Sequence, residues 1–146
     1  MTVVADTGPL VAAANQRDEA HELAAAFVVA LGRELLIPSP VLAETDHLLR
    51  ARVGRHSARL FLDAVAAGAH RVACLTPALL RRAAEFDRRY EALDLGFVDG
   101  CVMAVAERER VPLLTFDFED FRAAPSRMGP WELVVDEARY LDSTRS

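Results

Sequence analysis

Short apolar runs alternate with helical stretches along this chain, and that alternation constrains its fold more than any other feature. Mostly apolar runs of four to six residues occupy positions 2–5, 34–37, 70–75 and 112–116, and helical periodicity follows each of the first three. Buried strands joined through helices form parallel sheets that are covered on both faces. The sequence therefore predicts an α/β domain, a three-layer α/β/α sandwich with a mainly parallel central sheet.

Capping and turn residues predict where these elements begin and end. Asp6 to Pro9 open a helix, Gly32 closes one, and Ser39 and Thr76 are candidate N-caps. The expected helices cover 17–31, 40–53, 56–67, 77–93 and the nearly all-apolar stretch 97–106, with a helical turn over 117–122. Residues 131–135 are a candidate strand at the sheet edge, and the tail from Asp142 is expected to fray. We expect residues 1–146 to form a single domain.

The composition excludes several classes of chemistry. All 17 basic residues are arginine, so a Walker A phosphate loop and a Schiff-base enzyme are both excluded. Cys74 and Cys101 lie in apolar surroundings without a CxxC spacing, and we expect both to be buried, reduced thiols. With no secretory leader and no apolar run long enough for a membrane span, the predicted location is the cytoplasm.

Two of the predicted strands end in aspartate. The first strand ends at Asp6, and the strand at 112–116 is followed by Asp117. Ligands gather at the carboxyl edge of an open parallel sheet, where loops converge and helix N-termini point inward. If these two strands are neighbours, their carboxylates lie close together.

Two further acids occupy positions where an acid is costly. Glu44 follows the helical stripe Val41, Glu44, Leu48, which places its carboxylate on the apolar face. Asp99 lies at the start of the apolar helix and is also expected to point inward. A lone buried carboxylate needs a cation or a proton, and the chain offers no lysine and no arginine one turn after Glu44. Hard oxygen ligands without a Cys or His cluster favour Mg²⁺ or Mn²⁺, which suits phosphodiester hydrolysis.

Each acid also has a plainer interpretation. Asp6, Asp99 and Asp117 can serve as helix N-caps, and Glu44 can reach solvent at the edge of its stripe. Spacing alone leaves Asp94 and Asp120 as rivals to Asp99 and Asp117.

Several polar residues near these acids are candidate supporting groups. The hydroxyls of Thr7 and Thr115 can hold a metal-bound water or simply cap a helix. A local basic stretch follows Glu44 on a chain whose formal charge is -5, and its candidate nucleic-acid contacts are Arg50, Arg52 and Arg55.

The order and spacing of these motifs resemble the PIN-domain ribonucleases, and within them the VapC-type toxins of bacterial toxin–antitoxin pairs. The resemblance is carried by four motifs over about residues 3 to 135: Asp6-Thr7-Gly8, Leu42-Ala43-Glu44-Thr45, Asp99 before an Ala-rich helix, and Thr115-Phe116-Asp117-Phe118. Gly100 and Cys101 depart from the pattern, because a small residue such as alanine is commoner after the third acid.

The resemblance implies a PIN-like fold and an endoribonuclease that depends on Mg²⁺ or Mn²⁺. It implies that Asp6, Glu44, Asp99 and Asp117 bind the metal and carry catalysis, with Thr7 and Thr115 in support. A VapB-type antitoxin, a homodimer and structured RNA substrates such as tRNA or rRNA loops are implied in the same way. Two other hypotheses stay open at this point: a metal-dependent DNA nuclease or phosphatase, and a non-catalytic module that binds RNA or protein.

Overall fold

The computed structural model describes residues 1–145 and has a central sheet flanked by helices. The four strands are β1 Val3–Ala5, β2 Leu35–Pro38, β3 Arg71–Ala73 and β4 Leu113–Leu114. They lie in the order β3-β2-β1-β4, and each neighbouring pair is parallel. The predicted α/β class and parallel sheet are confirmed.

Eight α-helices surround the sheet in the described part of the chain. They are α1 Thr7–Ala14, α2 His21–Leu31, α3 Ser39–Arg52, α4 Arg55–Ala66, α5 Pro77–Arg89, α6 Gly96–Glu109, α7 Phe118–Ala123 and α8 Glu137–Thr144, with single 3-10 turns at Gly32–Glu34 and Glu91–Leu93. Within residues 1–145, no helix combines the length and apolar character needed to cross a bilayer.

Two helix starts differ from the prediction because side-chain oxygens compete for backbone N–H groups. The helix expected from Arg17 begins at His21, since Asn15 accepts a hydrogen bond from Arg17 N at 3.1 Å and Asp18 accepts one from Ala20 N at 2.8 Å. Ser39 is the first residue of α3 rather than its N-cap, and its hydroxyl accepts instead from Leu75 N at 3.3 Å. Thr76 caps α5 as predicted.

The end of the chain also departs from the prediction. The strand expected over 131–135 is reduced to one parallel bridge between Leu113 and Leu133, next to β4. The tail predicted to fray from Asp142 continues α8 to Thr144, and that helix begins with Asp136 accepting from Arg139 N at 2.8 Å. Residue 146 lies outside the described part.

The hydrophobic core is built around β1 and the apolar helix α6. Residues 3–5 are fully buried, as are Leu113 and Leu114 of the neighbouring strand, and every residue from Gly100 to Ala106 is buried. The expectation of an enclosed helix is therefore confirmed. A Cβ on Gly100 would lie 2.8 Å from the carbonyl oxygen of Ala83, so the departure from the family pattern here reflects the close approach of α5 to α6.

Of the two cysteines, Cys101 is buried and Cys74 is exposed. The prediction of burial is wrong for Cys74 because it follows β3, the edge strand, where one side of the sheet has no neighbouring strand. Both thiols are free, and burial raises the pKa of Cys101 to about 11.

A partly buried ion pair ties α5, α6 and the loop after α7 together. The guanidinium of Arg82 donates from Nε and Nη2 to the two carboxylate oxygens of Glu107, at 2.7 and 2.9 Å. Ser126 donates its hydroxyl to the same carboxylate at 2.7 Å. These bonds, led by those from Arg82, lower the pKa of Glu107 to about 2. We call these three residues the Glu107 anchor.

Candidate active site

The pairing of β1 with β4 brings the first and last acidic motifs together. Val4 pairs with Leu113 and Ala5 with Leu114, and Asp6 N donates to the carbonyl oxygen of Leu114 at 2.9 Å. Parallel neighbours end at the same edge of the sheet, so Asp6 lies beside Thr115. The sequence prediction depended on these strands being neighbours, and they are.

Both oxygens of the Asp6 carboxylate are held in place. Oδ1 accepts from Thr7 N at 2.8 Å, which caps α1, and Oδ2 accepts from the Thr115 hydroxyl at 2.7 Å. Burial raises the pKa of Asp6, the two hydrogen bonds oppose that rise, and the nearby charge of Glu44 adds to it. The side chain is thus fixed by the fold in a position where its negative charge is poorly compensated.

Asp117 is also a helix cap and a member of the acidic group. Its Oδ1 accepts from Asp120 N at 3.2 Å at the start of α7, and its own N–H donates to the Thr115 hydroxyl at 3.0 Å. Burial, more than any other cause, raises the pKa of Asp117 to about 6. Asp117 therefore caps α7 and belongs to the acidic group at the same time.

Asp99 completes a tight group with Asp117 and Asp120. One carboxylate oxygen from each of the three lies within 4.8 Å of the others, and all three side chains are partly buried. The pKa of Asp99 is raised to about 7, first by burial and then by the charges of Asp6, Asp117, Asp120 and Glu44. The fold therefore disfavours the ionised form of this carboxyl group in the absence of a cation.

Glu44 lies at the edge of the buried face of α3, which corrects the predicted stripe. The buried residues of that face are Val41, Thr45 and Leu49, spaced four apart, whereas Glu44 and Leu48 are half-buried. An α-helix has 3.6 residues per turn, so the three residues from Val41 to Glu44 do not complete one turn. The Glu44 side chain therefore points to one side of the buried face. Its charge nevertheless acts on both Asp6 and Asp99.

Asp120 joins this group, although the prediction left it as an alternative. Asp94, the other alternative, is exposed directly after the 3-10 turn that precedes α6 and does not belong to the described acidic group. The signal for Asp120 was present in the sequence, since residues three apart on a helix share a face and Asp117 caps α7.

Among residues 1–145, the ion pairs involve none of the five acids of the group: Asp6, Glu44, Asp99, Asp117 and Asp120. Their charge is therefore not neutralised by arginine. Carboxylate oxygens that converge without a His or Cys ligand match the donor set that Mg²⁺ and Mn²⁺ prefer. The residues present fit a hard divalent cation.

The candidate supporting residues are placed differently from one another. Thr115 holds Asp6 directly, whereas the Thr7 hydroxyl is buried and makes no hydrogen bond within the described structure. Arg50, Arg52 and Arg55 are exposed around the turn between α3 and α4, and Arg50 pairs with Asp46 at 3.0 Å. At 1.5 Å per residue, Arg52 lies about 12 Å along α3 from Glu44.

Carboxylates that converge at the carboxyl edge of a parallel sheet, here beside β1 and β4, are a donor set suited to the metal-assisted hydrolysis of phosphate esters. The model of the PIN domain family matches residues 3–126. The chain belongs to the PIN-domain family.

Individual relatives agree with this assignment. The chain is 27% identical over 122 residues to ribonuclease VapC26 of Mycobacterium tuberculosis, covering 83% of this chain and 90% of that protein. The crystal structure of VapC20 from the same organism, described as a Sarcin-Ricin loop cleaving toxin, superposes with a TM-score of 0.77 at 24% identity, covering 88% of this chain and 100% of that one.

A toxin–antitoxin complex from Klebsiella pneumoniae gives a TM-score of 0.64 at 19% identity, covering 90% of this chain and 100% of that one. VapBC2 of Rickettsia felis, bound to a promoter DNA fragment, gives 0.63 at 19% identity and covers 86% and 94%. The resemblance predicted from the motifs, to PIN domains and their VapC-type members, is confirmed.

Proposed function

We propose that this chain is a metal-dependent endoribonuclease and the toxin of a VapC-type toxin–antitoxin pair. The observation that carries the proposal is the convergence of five carboxylates, from four separate parts of a PIN-domain chain, without an arginine to neutralise them. A ribonuclease relative that spans most of the chain supports RNA as the substrate.

In this proposal Asp6, Glu44, Asp99 and Asp117 bind Mg²⁺, or Mn²⁺ in its place, and Asp120 adds a fifth carboxylate. When bound, the cation supplies positive charge for the scissile phosphate and lowers the pKa of water at the site. The acids are suited to hold it because burial and mutual repulsion disfavour their ionised forms in its absence.

The other residues orient these acids and hold the substrate. Thr115 fixes one oxygen of Asp6 and the backbone of Asp117, which keeps the distance between these two acids constant. Thr7 has a hydroxyl without a partner close to the same carboxylate and is the candidate to hold a water molecule. Arg52 and Arg55, exposed and about two turns of α3 or more beyond Glu44, contact RNA phosphates away from the scissile bond, with Arg50 contributing when it leaves Asp46.

The substrate class and partners follow from the relatives. One structural neighbour is described as cleaving the Sarcin-Ricin loop, and we propose structured RNA, such as rRNA or tRNA loops, for this chain. Two neighbours are toxin–antitoxin complexes, and we propose a VapB-type antitoxin that inhibits the enzyme. We further propose that it acts in the cytoplasm as a homodimer, with residues 1–146 as one PIN-like domain.

The test is cleavage of total cellular RNA by purified protein with and without Mg²⁺, with cleavage sites mapped by end sequencing. Asp6→Asn and Asp99→Asn should abolish cleavage while the variants stay folded, and Asp94→Asn, an exposed acid outside the group, should cleave like the wild type. A contaminating nuclease would cleave equally in all four preparations. Undiminished cleavage in both site variants refutes the proposal.

The competing functions are separated by substrate and by binding. Preferential cleavage of DNA or of small phosphate esters would replace the ribonuclease by a DNA nuclease or a phosphatase. If titrated Mg²⁺ and Mn²⁺ neither bind nor raise the melting temperature, the chain is a binding module of the same fold.

Co-expression with the product of an adjacent short reading frame tests the antitoxin, which should co-purify and inhibit cleavage.

A further inference from the structure

The C-terminal helix α8 lies outside the residues matched by the PIN-domain model, yet it packs against the turn at residues 115–118, which carries Asp117. The family model ends at residue 126, and α8 covers Glu137–Thr144. The ring of Tyr140 lies 4.7 Å from the ring of Phe116 and 5.5 Å from that of Phe118, measured between centroids. These two phenylalanines flank Asp117 in the chain.

Three separate contacts hold α8 in this position. Arg139 lies over the ring of Phe27 on α2, with its guanidinium carbon 4.9 Å from the ring centroid. Glu137 pairs with Arg122 on α7. Tyr140 also packs, together with Phe116, on a buried alanine cluster of α1 and α2 and the turn between them: Ala12, Ala20 and Ala24. Helix α8 therefore contacts α1, α2 and α7 as well as the turn at residues 115–118.

Hydrogen bonds alone hold this turn at few points. Asp117 N donates to the Thr115 hydroxyl at 3.0 Å, Asp117 Oδ1 accepts from Asp120 N at 3.2 Å, and β4 before the turn is only two residues long. The carboxyl groups of Asp99, Asp117 and Asp120 repel one another when ionised, and this repulsion acts to separate Asp117 and Asp120 from Asp99. Aromatic rings packed on both neighbours of Asp117 oppose such a movement.

We propose that Tyr140 is a positioning residue for the metal site, because its ring clamps Phe116 and Phe118 and thereby holds Asp117 and Asp120 at ligand distance from Asp99. The proposal rests on the proposed function only in taking these acids as metal ligands. Residues that orient metal ligands typically change metal affinity by 10- to 100-fold when they are substituted.

The test is the Mn²⁺ affinity of the full chain, measured from the electron paramagnetic resonance signal of free Mn²⁺. Tyr140→Ala should weaken Mn²⁺ binding about tenfold. Tyr140→Phe keeps the ring and should bind like the wild type, as should Leu141→Ala, a change at an exposed neighbour on the same helix. Loss of affinity in Tyr140→Phe equal to that in Tyr140→Ala overturns the proposal.

General destabilisation is controlled with Val65→Ala, which removes two methyl groups from the core at α4, far along the chain from Asp117. At temperatures where both variants are fully folded, only Tyr140→Ala should lose Mn²⁺ affinity, and equal losses in both overturn the proposal. Where RNA is cleaved, Tyr140→Ala should lower kcat with restoration by excess Mn²⁺, while the KM for RNA stays unchanged.

The outcome is distinguishable from a failure of the proposed function. If the wild type binds Mn²⁺ but cleaves no RNA, the ribonuclease proposal falls, and the affinity series still tests Tyr140. If the wild type binds no Mn²⁺, hydrogen exchange decides instead. Tyr140→Ala should then speed exchange of the amides at 115–120 more than Val65→Ala does, and equal exchange in the two variants overturns the proposal.

Discussion

Replacing Asp99 by asparagine should stabilise the metal-free protein at neutral pH and weaken its response to metal. The folded protein holds the pKa of Asp99 at about 7, above the ordinary value of 3.8. Between these values the folded state binds more protons than the unfolded chain, so stability falls as the pH rises from about 4 to 7 and stays low above that. Asparagine carries no charge, so it removes this fall.

The size of the effect follows from the shift. At 1.36 kcal/mol per pKa unit, a rise of about three units corresponds to roughly 4 kcal/mol. Asp99 is only partly buried, and solvent screens part of the repulsion, so we expect about 2 kcal/mol. For a chain of this length that is a melting temperature about 4 to 8 °C higher for the variant.

The assay is thermal unfolding followed by circular dichroism in EDTA at pH 4.5 and pH 8. Asp99→Asn should melt higher than the wild type at pH 8 and by a clearly smaller margin at pH 4.5, while Asp94→Asn should follow the wild type at both. Added Mn²⁺ should raise the melting temperature of the wild type at pH 8 and that of Asp99→Asn much less. If Asp99→Asn is less stable than the wild type in EDTA at pH 8, the reasoning about uncompensated charge is wrong.

Three further outcomes test other features of the structure. Asp120→Asn should weaken Mn²⁺ binding by about tenfold in a calorimetric titration, whereas Glu119→Gln, at its exposed neighbour, should leave the affinity unchanged. Replacing Arg52 and Arg55 together by glutamine should weaken RNA binding and lower the slope of log affinity against log salt by about 1.4, and an unchanged slope removes them from the interface. Gly100→Ala should destabilise the fold by about 1 to 2 kcal/mol in urea, since the overpacking against the α5 carbonyl exceeds the gain in helix propensity, and a gain in stability would contradict the contact.

The alternation of apolar and helical segments was sufficient to predict the parallel sheet, because each buried strand is a continuous run that few other structures accommodate. It was not sufficient to predict α8. The tail is short and polar, and its helix depends on the cap at Asp136 and on Tyr140 finding Phe116 and Phe118, which are distant in sequence. Tertiary contacts of this kind leave no periodic trace in the chain.

At the candidate site, the sequence predicted which acids converge but not how each is used. Asp6 and Asp117 were weighed as either caps or ligands, yet a carboxylate has about four lone-pair sites on its two oxygens, so it can cap a helix and still have lone pairs left for a cation. Glu44 lies at the margin of its helix face, because only the packing of α3 sets which direction is the core.

The Glu107 anchor and the acidic group respond to acid in opposite directions. Falling pH protonates Asp99 near 7 and Asp117 near 6, which relieves the repulsion within the acidic group of the metal-free protein. Glu107 keeps its charge down to about 2, and the stability that it contributes is lost as the pH falls from about 4.5 to about 2. In mild acid, at about pH 5, the sheet edge is thus relieved of its crowded charge while the Glu107 anchor still ties α5, α6 and the loop after α7 together.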